Sequence, residues 1–335
     1  MYRSRLIQAS KLVVIALLAL VTLPGLSGTA QQNQVTGVEV LITQPLSGFV
    51  TSNAQEEIAG KATVTTSGIS LFMVIISVNG VATKVNFSSD GRFQTWVDLV
   101  PGANTITAIA VASNKAVASR RISVIYNPQL QVIFFDNFDE VPNAEWSSAV
   151  GSWVTINGQY TVGRDIRSQV VFGSLIDLNT PLNAYAIDVD VNLGDTNCSG
   201  TGVDRTAAYL VVRAQDLNNG VILGFGGEDK QIKKVWWAVR QKGDWGQALA
   251  VASVTTKVGE AVHVRVEVEG KIYRAYINGK GVGEISDPTF EHATNVGLGG
   301  YYDCTPQART AFDNFSVTST AEGTSLGLSA DTRGS

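Results

Sequence analysis

The residues best suited to bind a ligand are aromatic side chains with polar neighbours in the second half of the chain. Residues 233–240 are predicted as a strand that places Trp236 and Arg240 on one face and Trp237 on the other, because side chains alternate along a strand. Exposed rings of this kind stack on sugar rings, and nearby polar groups orient the hydroxyls. We therefore predict a saccharide platform formed by Trp236, Trp245 and Tyr302 with Arg213, Arg240 and Asp303. The alternative is that these rings pack in the core or in turns.

Two carboxylates and the two histidines are the candidate catalytic groups. Asp188 and Asp190 are two residues apart on a predicted strand and share one face. A retaining glycosidase needs two carboxyls about 5–5.5 Å apart, and no glutamate accompanies this pair. We interpret the pair as a solvated strand face. His263 and His292 lie in distant segments, which argues against a zinc or Ser-His-Asp site. No catalytic residue is predicted.

The tetrapeptide Phe-Asp-Asn-Phe occurs twice, at 135–138 and 312–315. We predict that these stretches are the first and last strands of one sandwich and that they meet. Asp136, Asp139 and Asp313 lie on or just beyond them. Because Ca²⁺ takes several oxygen ligands, the sequence predicts a structural calcium site here. The alternative is that the carboxylates make turn or inter-strand hydrogen bonds.

The first 30 residues have the features of a secretory signal peptide. Basic residues precede an apolar run at 12–23, and small residues follow up to Ala30. The run is shorter than the ~20 apolar residues of a membrane span, so an uncleaved anchor is the weaker alternative. We expect the mature chain to have no membrane span and to be extracellular or periplasmic.

The composition excludes one class of partner and suggests a disulfide. The net charge is −4 and 16% of the residues are charged, which argues against binding of nucleic acid phosphates. Cys198 and Cys304 are the only cysteines, and an oxidising compartment favours their pairing. The bridge would close a long loop and stabilise the fold by up to about 4–5 kcal/mol in the chain-entropy model.

Strands and turns alternate about every ten residues between 37 and 126. A Val-x-Ile-x-x-Pro start, an Asn-Gly hairpin signal at 79–80, Asp-Gly-x-Phe at 90–93 and Pro-Gly-x-Asn-Thr-Ile-Thr at 101–107 follow one another. This order resembles the bacterial Ig-like modules found beside carbohydrate-active domains. The resemblance implies a small β-sandwich that acts as a spacer or adhesion unit.

The region 132–318 is predicted to contain about twelve strands, punctuated by Asn-Gly turns, with no convincing amphipathic helix. In 261–269 valines alternate with His, Arg and Glu, which predicts a strand with one wet face. A short, stiff connector at 127–131 precedes this region. The tail 319–335 is small and polar and is predicted to be disordered.

Four motifs follow in order: Asp-x-Phe at 136–138, Gly-x-Trp at 151–153, Asn-Gly-x-Tyr at 157–160 and Phe-Asp-Asn-Phe-x-Val at 312–317. This order resembles the laminin-G/concanavalin A-like jelly rolls of secreted bacterial proteins across nearly all of 132–318. The resemblance implies a jelly-roll sandwich, with Asp313 in the position of a calcium ligand. It also makes the strand before Cys198 and the strand after Cys304 antiparallel neighbours, so that the cysteines come close.

Together these observations predict an all-β protein with a small Ig-like sandwich and a larger concanavalin A-like jelly roll. The leading hypothesis is a secreted, non-catalytic protein that binds carbohydrate or a cell surface, with a polysaccharide or a glycosylated surface as its partner. One alternative is a secreted glycoside hydrolase or lyase of the same fold. The other is a purely structural protein of an envelope or matrix.

Overall fold

A computed structural model describes residues 37–162, 170–193, 206–228, 231–302 and 310–320. Within these ranges every regular element is a β-strand. No helix in this part of the chain is long and apolar enough to cross a membrane. The predicted signal peptide lies outside the described residues, whereas Ser319 and Thr320, which were assigned to the tail, continue the last strand. The all-β fold class is confirmed.

The chain divides into two compact units, and each combines more than one segment of the chain. Among the described residues the first unit comprises 37–44 together with Gln55–Asp98 and Thr105–Ile122. The second unit comprises Pro45–Ala54, Leu99–Asn104 and the described residues from Ser123 onward.

The first eight strands form two small sheets, one ordered β1-β3-β6 and the other β2-β8-β7-β4-β5. Their bounds are β1 Val38–Gln44, β2 Val50–Thr51, β3 Gln55–Val64, β4 Leu71–Val78, β5 Val81–Val85, β6 Arg92–Asp98, β7 Gly102–Ala112 and β8 Val117–Tyr126. Asn79 and Gly80 both have positive φ, at 50° and 89°, and join β4 to β5 in the tight turn that the sequence predicted. The Ig-like assignment of this region stays a prediction.

The remaining fifteen strands form a large antiparallel sandwich. Their bounds are β9 Leu130–Asp136, β10 Ser147–Val150, β11 Trp153–Ile156, β12 Gln159–Val162, β13 Val170–Asp177, β14 Ala184–Asn192, β15 Thr206–Asp216, β16 Asn219–Glu228, β17 Gln231–Arg240, β18 Leu249–Ser253, β19 Val262–Glu269, β20 Ile272–Ile277, β21 Lys280–Ser286, β22 Asn295–Tyr302 and β23 Ala311–Thr320. The seven-stranded sheet has the order β10-β13-β22-β15-β16-β17-β18. The eight-stranded sheet has the order β11-β12-β23-β14-β19-β20-β21, with β9 also paired to β23. This is a jelly-roll sandwich.

One apolar core is formed by strands of both sheets. Val189 and Val264 contribute from the eight-stranded sheet, and Leu210, Leu223 and Trp237 from the seven-stranded sheet, all fully buried. Burial of each side chain stabilises the fold by about 1.5–3 kcal/mol as an upper bound. The alternating valines of β19 all belong to this core, as their spacing predicted.

The two Phe-Asp-Asn-Phe stretches meet, as predicted. In the β9–β23 pair Phe315 faces Asp136 and Ser316 faces Phe135. The second copy carries a bulge, because the register between β14 and β23 shifts and Asn314 has a φ of 51°. The motif therefore marks the position where the first and last strands close the sandwich.

The strand register brings the flanks of both cysteine segments together. Asn192 at the end of β14 pairs with Ala311 at the start of β23, and Thr206 pairs with Tyr302. The antiparallel arrangement that was expected of the strands beside the cysteines is therefore present. Cys198 and Cys304 themselves lie outside the described residues, so their disulfide stays a prediction.

The disulfide can be tested on protein that was secreted through an oxidising compartment. Alkylation of the unfolded, unreduced chain is expected to label no thiol. Cys198→Ser, Cys304→Ser and the double variant should lower the free energy of unfolding by the same amount, up to about 4–5 kcal/mol, because each removes the same cross-link. Two reactive thiols, or additive losses in the double variant, would contradict the pairing.

Candidate functional site

Aromatic residues and glycines alternate across four neighbouring strands of the seven-stranded sheet. Gly299 of β22 pairs with Tyr209 of β15, Tyr209 pairs with Gly224 of β16, and Gly224 pairs with Trp236 of β17. A Cβ at Gly224 would collide with the indole of Trp236, and a Cβ at Gly299 would collide with the ring of Tyr209. Each ring therefore occupies the space that a neighbouring side chain would fill.

A pocket of about 230 Å³ opens beside these rings. The described residues that line it are Ala208, Tyr209, Ile222, Gly224, Trp236, Ala238, Trp245, Gly246 and Ala248. Tyr209, Ile222 and Ala238 belong to a small apolar cluster separate from the main core, and Trp236 and Trp245 pack against it, half-buried. The neighbouring Trp237 points into the main core. The pocket thus lies on the face of the sheet that is turned away from the core, and the two faces of β17 agree with the predicted alternation.

Trp245 is held in place by two contacts. Its ring lies edge-on to Tyr209, with the ring centroids 5.3 Å apart. The guanidinium of Arg240 lies 4.7 Å from the indole centroid, in a cation–π contact. Arg240 is buried, and it donates hydrogen bonds from Nη1 to the Leu217 carbonyl at 2.7 Å and from Nε to the Gly243 carbonyl at 3.2 Å. Arg240 therefore positions Trp245 from behind.

A tight turn directly precedes Trp245. Gln241 and Asp244 exchange two backbone hydrogen bonds, of 3.1 and 3.0 Å. The intervening Lys242 and Gly243 both have positive φ, at 51° and 89°, as in a type I′ turn. Trp245 directly follows this turn.

The structure does not bring Arg213 to this pocket. Its buried guanidinium donates to the carbonyls of Leu182 and Gly270 at 2.6 and 2.8 Å. It also lies against the rings of Tyr185 and Tyr273, at 5.3 and 5.7 Å from their centroids. Arg213 therefore ties strand ends together inside the sandwich.

Two further predicted residues cannot be placed in the pocket. Tyr302 ends β22, but its side chain is outside the described part of the structure, as is the whole of Asp303. In turn, the sequence analysis missed Tyr209 and Gly224. The available signal was glycine inside predicted strands, which marks close approach of a neighbouring side chain.

A second cluster of polar residues lies on the eight-stranded sheet. Asp188 pairs with Arg265 across the strands, and Asp190 pairs with His263. The His263 ring lies between both carboxylates, with Nδ1 2.8 Å from Asp190 Oδ1 and Nε2 3.0 Å from Asp188 Oδ1. Arg265 Nη1 donates to Asp188 Oδ2 at 2.6 Å, and the Asn314 amide donates to Asp190 Oδ2 at 2.9 Å.

The prediction of a solvated face for Asp188 and Asp190 is wrong. The wet face expected for β19 is present only at its end, where Glu267 is half-buried and Glu269 is exposed. Asp188 and His263 are each 1% exposed and Arg265 is 2% exposed. A period of two in the sequence identifies a polar face but says nothing of whether that face reaches water. Opposite charges on neighbouring strands compensate for the burial, because each buried carboxylate has a cationic partner.

The charges of this cluster are fixed by its contacts. Burial alone would lower the pKa of His263, but the hydrogen bonds that its ring donates to Asp188 and Asp190, together with the negative charges of these two residues, raise it to about 9. Burial would likewise raise the pKa of Asp188, but the charge of Arg265 and the hydrogen bond to His263 hold it below its usual value. At neutral pH His263 is an imidazolium, so it cannot act as a general base.

The proposed calcium ligands have protein partners. Asp136 accepts hydrogen bonds from the backbone N–H groups of Phe138 and Asn143, at 2.9 and 2.8 Å, and from Trp146 Nε1 at 2.9 Å. These bonds match the alternative in which the carboxylate organises a turn. Asp139 accepts a bond from the Asn137 amide, and Asp313 accepts one from the backbone N–H of Asn314. Among the described residues no group of three or more His, Cys, Asp or Glu side chains is arranged to hold a metal ion.

The ion-pair cluster should make stability depend on pH in a defined window. The folded pKa of His263, about 9, lies above its unfolded value near 6.5, so its contribution is fully present below pH 6.5 and is lost as pH rises through 9. We expect the free energy of unfolding to fall by about 3 kcal/mol over this window. Urea unfolding at several pH values measures it. His263→Gln should remove most of this dependence and leave the smaller change near pH 7 that comes from Asp313, whereas His292→Gln, at an exposed position, should keep the full dependence.

The packing of Trp236 against Gly224 gives a second test. Gly224→Ala should displace the indole and lower the free energy of unfolding by about 1–3 kcal/mol, because a methyl group is forced into occupied space. Acrylamide should then quench tryptophan fluorescence more strongly. Gly281→Ala is the control, since the nearest heavy atom to its new Cβ would be 3.9 Å away. Equal behaviour of the two variants would refute the proposed packing.

Neither a protein-family model nor a curated protein sequence matches this chain. Solved structures of jelly-roll domains do match this chain, as three examples show. Carbohydrate-binding module CBM66 from Bacillus subtilis matches with a TM-score of 0.40 and 19% identity, covering 52% of this chain and 96% of that one. The carbohydrate recognition domain of Emp46p matches with a TM-score of 0.44 and 8% identity, covering 56% of this chain and 96% of that one. The endo-β-1,3-glucanase from Pyrococcus furiosus matches with a TM-score of 0.44 and 10% identity, covering 59% of this chain and 97% of that one. These scores support no functional inference.

Proposed function

We propose that this protein is a secreted, non-catalytic carbohydrate-binding protein whose second unit holds one sugar residue between Trp236 and Trp245. The observation that carries the proposal is the pocket lined by two half-buried indoles on the outer face of the seven-stranded sheet. Its volume of about 230 Å³ is below the ~300–1,000 Å³ typical of pockets for drug-sized ligands, which suits a single ring. A polysaccharide or a glycosylated surface would supply that ring.

The chemistry of the walls supports a neutral ring as the ligand. Indole faces offer large, rigid apolar surfaces for the C–H face of a pyranose, and their N–H edges remain able to donate. Burial raises the pKa of Tyr209 above its usual value, so its hydroxyl is neutral at physiological pH. Stacking therefore supplies most of the affinity, and a few polar atoms set the orientation.

The non-catalytic part of the proposal is supported by where the carboxylates lie. The described pocket lining contains no carboxylate. Asp188 and Asp190 are engaged with His263 and Arg265. A retaining hydrolase would need two carboxyls facing one sugar ring, so the geometry gives no specific support to the enzyme alternative. Secretion, the Ig-like spacer role of the first unit and a calcium ion at Asp136, Asp139 and Asp313 remain parts of the proposal.

The proposed function predicts which tryptophans matter for binding. Trp236→Ala and Trp245→Ala should each weaken binding to a bound glycan by about 30-fold, equivalent to about 2 kcal/mol, because each removes a central aromatic wall. A broad glycan panel identifies the ligand, and titration calorimetry measures the loss. Trp96→Ala is the matched control, since it removes an indole of the first unit that is 65% exposed.

Two results would contradict the proposal. One is that the folded wild-type protein binds nothing on a panel that includes plant, fungal, bacterial and animal glycans. The other is that glycan binding survives both pocket variants unchanged while Trp96→Ala abolishes it, which would move the binding site to the first unit.

A further inference from the structure

The pocket has an unusually low capacity for hydrogen bonding. Of the nine described residues that line it, three carry a polar side-chain atom: Tyr209, Trp236 and Trp245. The other six are alanine, glycine and isoleucine. Carboxylate and amide side chains, which usually hold sugar hydroxyls, are missing from this described lining.

The nearest cation is also committed elsewhere. Two of the guanidinium nitrogens of Arg240 donate to backbone carbonyls, and its flat face lies against Trp245. Arg240 therefore holds Trp245 in position and is not available to a ligand through these two nitrogens. A hydroxyl group pushed deep into this pocket would lose its water partners and find few replacements.

The floor of the pocket is built to receive a small apolar group. Ile222 of β16 and Ala238 of β17 are direct cross-strand partners, 4% and 3% exposed, and both line the pocket. Gly224 follows two residues after Ile222 on the same face and adds no side chain. Small residues at the floor between two indole walls leave a recess whose surface is largely carbon.

We propose that this pocket selects sugar residues that insert a methyl group, such as the C6 methyl of a 6-deoxyhexose or the acetamido methyl of an N-acetylhexosamine. The inference rests on the proposed function and goes further by assigning a ligand class. In an apolar pocket a single methyl or methylene group discriminates by about 10- to 200-fold, and an added hydroxyl is rejected by up to about 100-fold. The methyl group enters between Trp236 and Trp245 and contacts Ile222 and Ala238.

Matched sugar pairs test the inference. Methyl α-L-fucoside and methyl α-L-galactoside differ by one hydroxyl on C6, and N-acetylglucosamine and N-formylglucosamine differ by one methyl group. Titration of the full chain with each sugar, followed by tryptophan fluorescence and calorimetry, gives four Kd values. In at least one pair the methyl-bearing member should bind 10-fold or more tightly. The pair that discriminates identifies which methyl group is recognised.

A floor variant separates the pocket from other surfaces. Ala238→Ser adds one hydroxyl at the floor with little change in volume, so it should reduce the preference for the methyl-bearing sugar several-fold. Its unfolding midpoint shows whether the fold is intact. If the variant is unstable, Ile222→Val is the second variant: it shortens the floor by one methylene and should weaken the methyl-bearing sugar more than its partner.

The outcomes distinguish the two proposals. Equal or tighter binding of the member that lacks the methyl group in both pairs, lost on Trp236→Ala, overturns the methyl inference and leaves the carbohydrate-binding function standing. Absence of binding to all four sugars and to the glycan panel by folded protein overturns both proposals. Discrimination that persists unchanged in Ala238→Ser and in Ile222→Val also overturns the assignment of the methyl group to this floor.

Discussion

The alternation of side chains between the two faces of each strand is the constraint on which both the aromatic pocket and the charge cluster depend. Each strand must bury every second residue in the core between the two sheets, because the apolar surface removed from water is the main stabilising term. In β17 this requirement places Trp237 in the core, and Trp236 then has to face outward. A slip of one residue would exchange the two indoles and remove the pocket wall. The core thus sets the orientation of the binding residues.

The two outer faces that this constraint leaves are chemically opposite. The outer face of the seven-stranded sheet is apolar and recessed, with rings lying over glycines. On the eight-stranded sheet it holds Asp188, Asp190, His263 and Arg265 as a buried charge cluster. Buried ion pairs add little net stability because desolvation offsets their attraction. Their effect is on specificity: a register shift between β14 and β19 would separate every pair and leave unpaired charges inside the protein.

The sequence predicts what depends on neighbours along the chain and fails where the answer depends on neighbours across strands. The Asn79-Gly80 turn and the two faces of 233–240 follow from local rules and are confirmed. The contact of Tyr209 with Trp245 and the burial of Arg213 depend on the register between distant strands. No local sequence pattern specifies that register. A polar residue on a strand is therefore predicted to be exposed to solvent even where contacts with distant parts of the chain bury it.

The repeated tetrapeptide shows the same limit of local sequence, because two identical sequences place their aspartates in different environments. In the first copy Asp136 is satisfied by three N–H donors and anchors the turn after β9. In the second copy the bulge at Asn314 sets Asp313 opposite Asp190, and burial together with that negative charge raises the pKa of Asp313 to about 7. Local sequence specifies that both stretches are strands. The contacts that each carboxylate makes are decided by the strand that lies beside it.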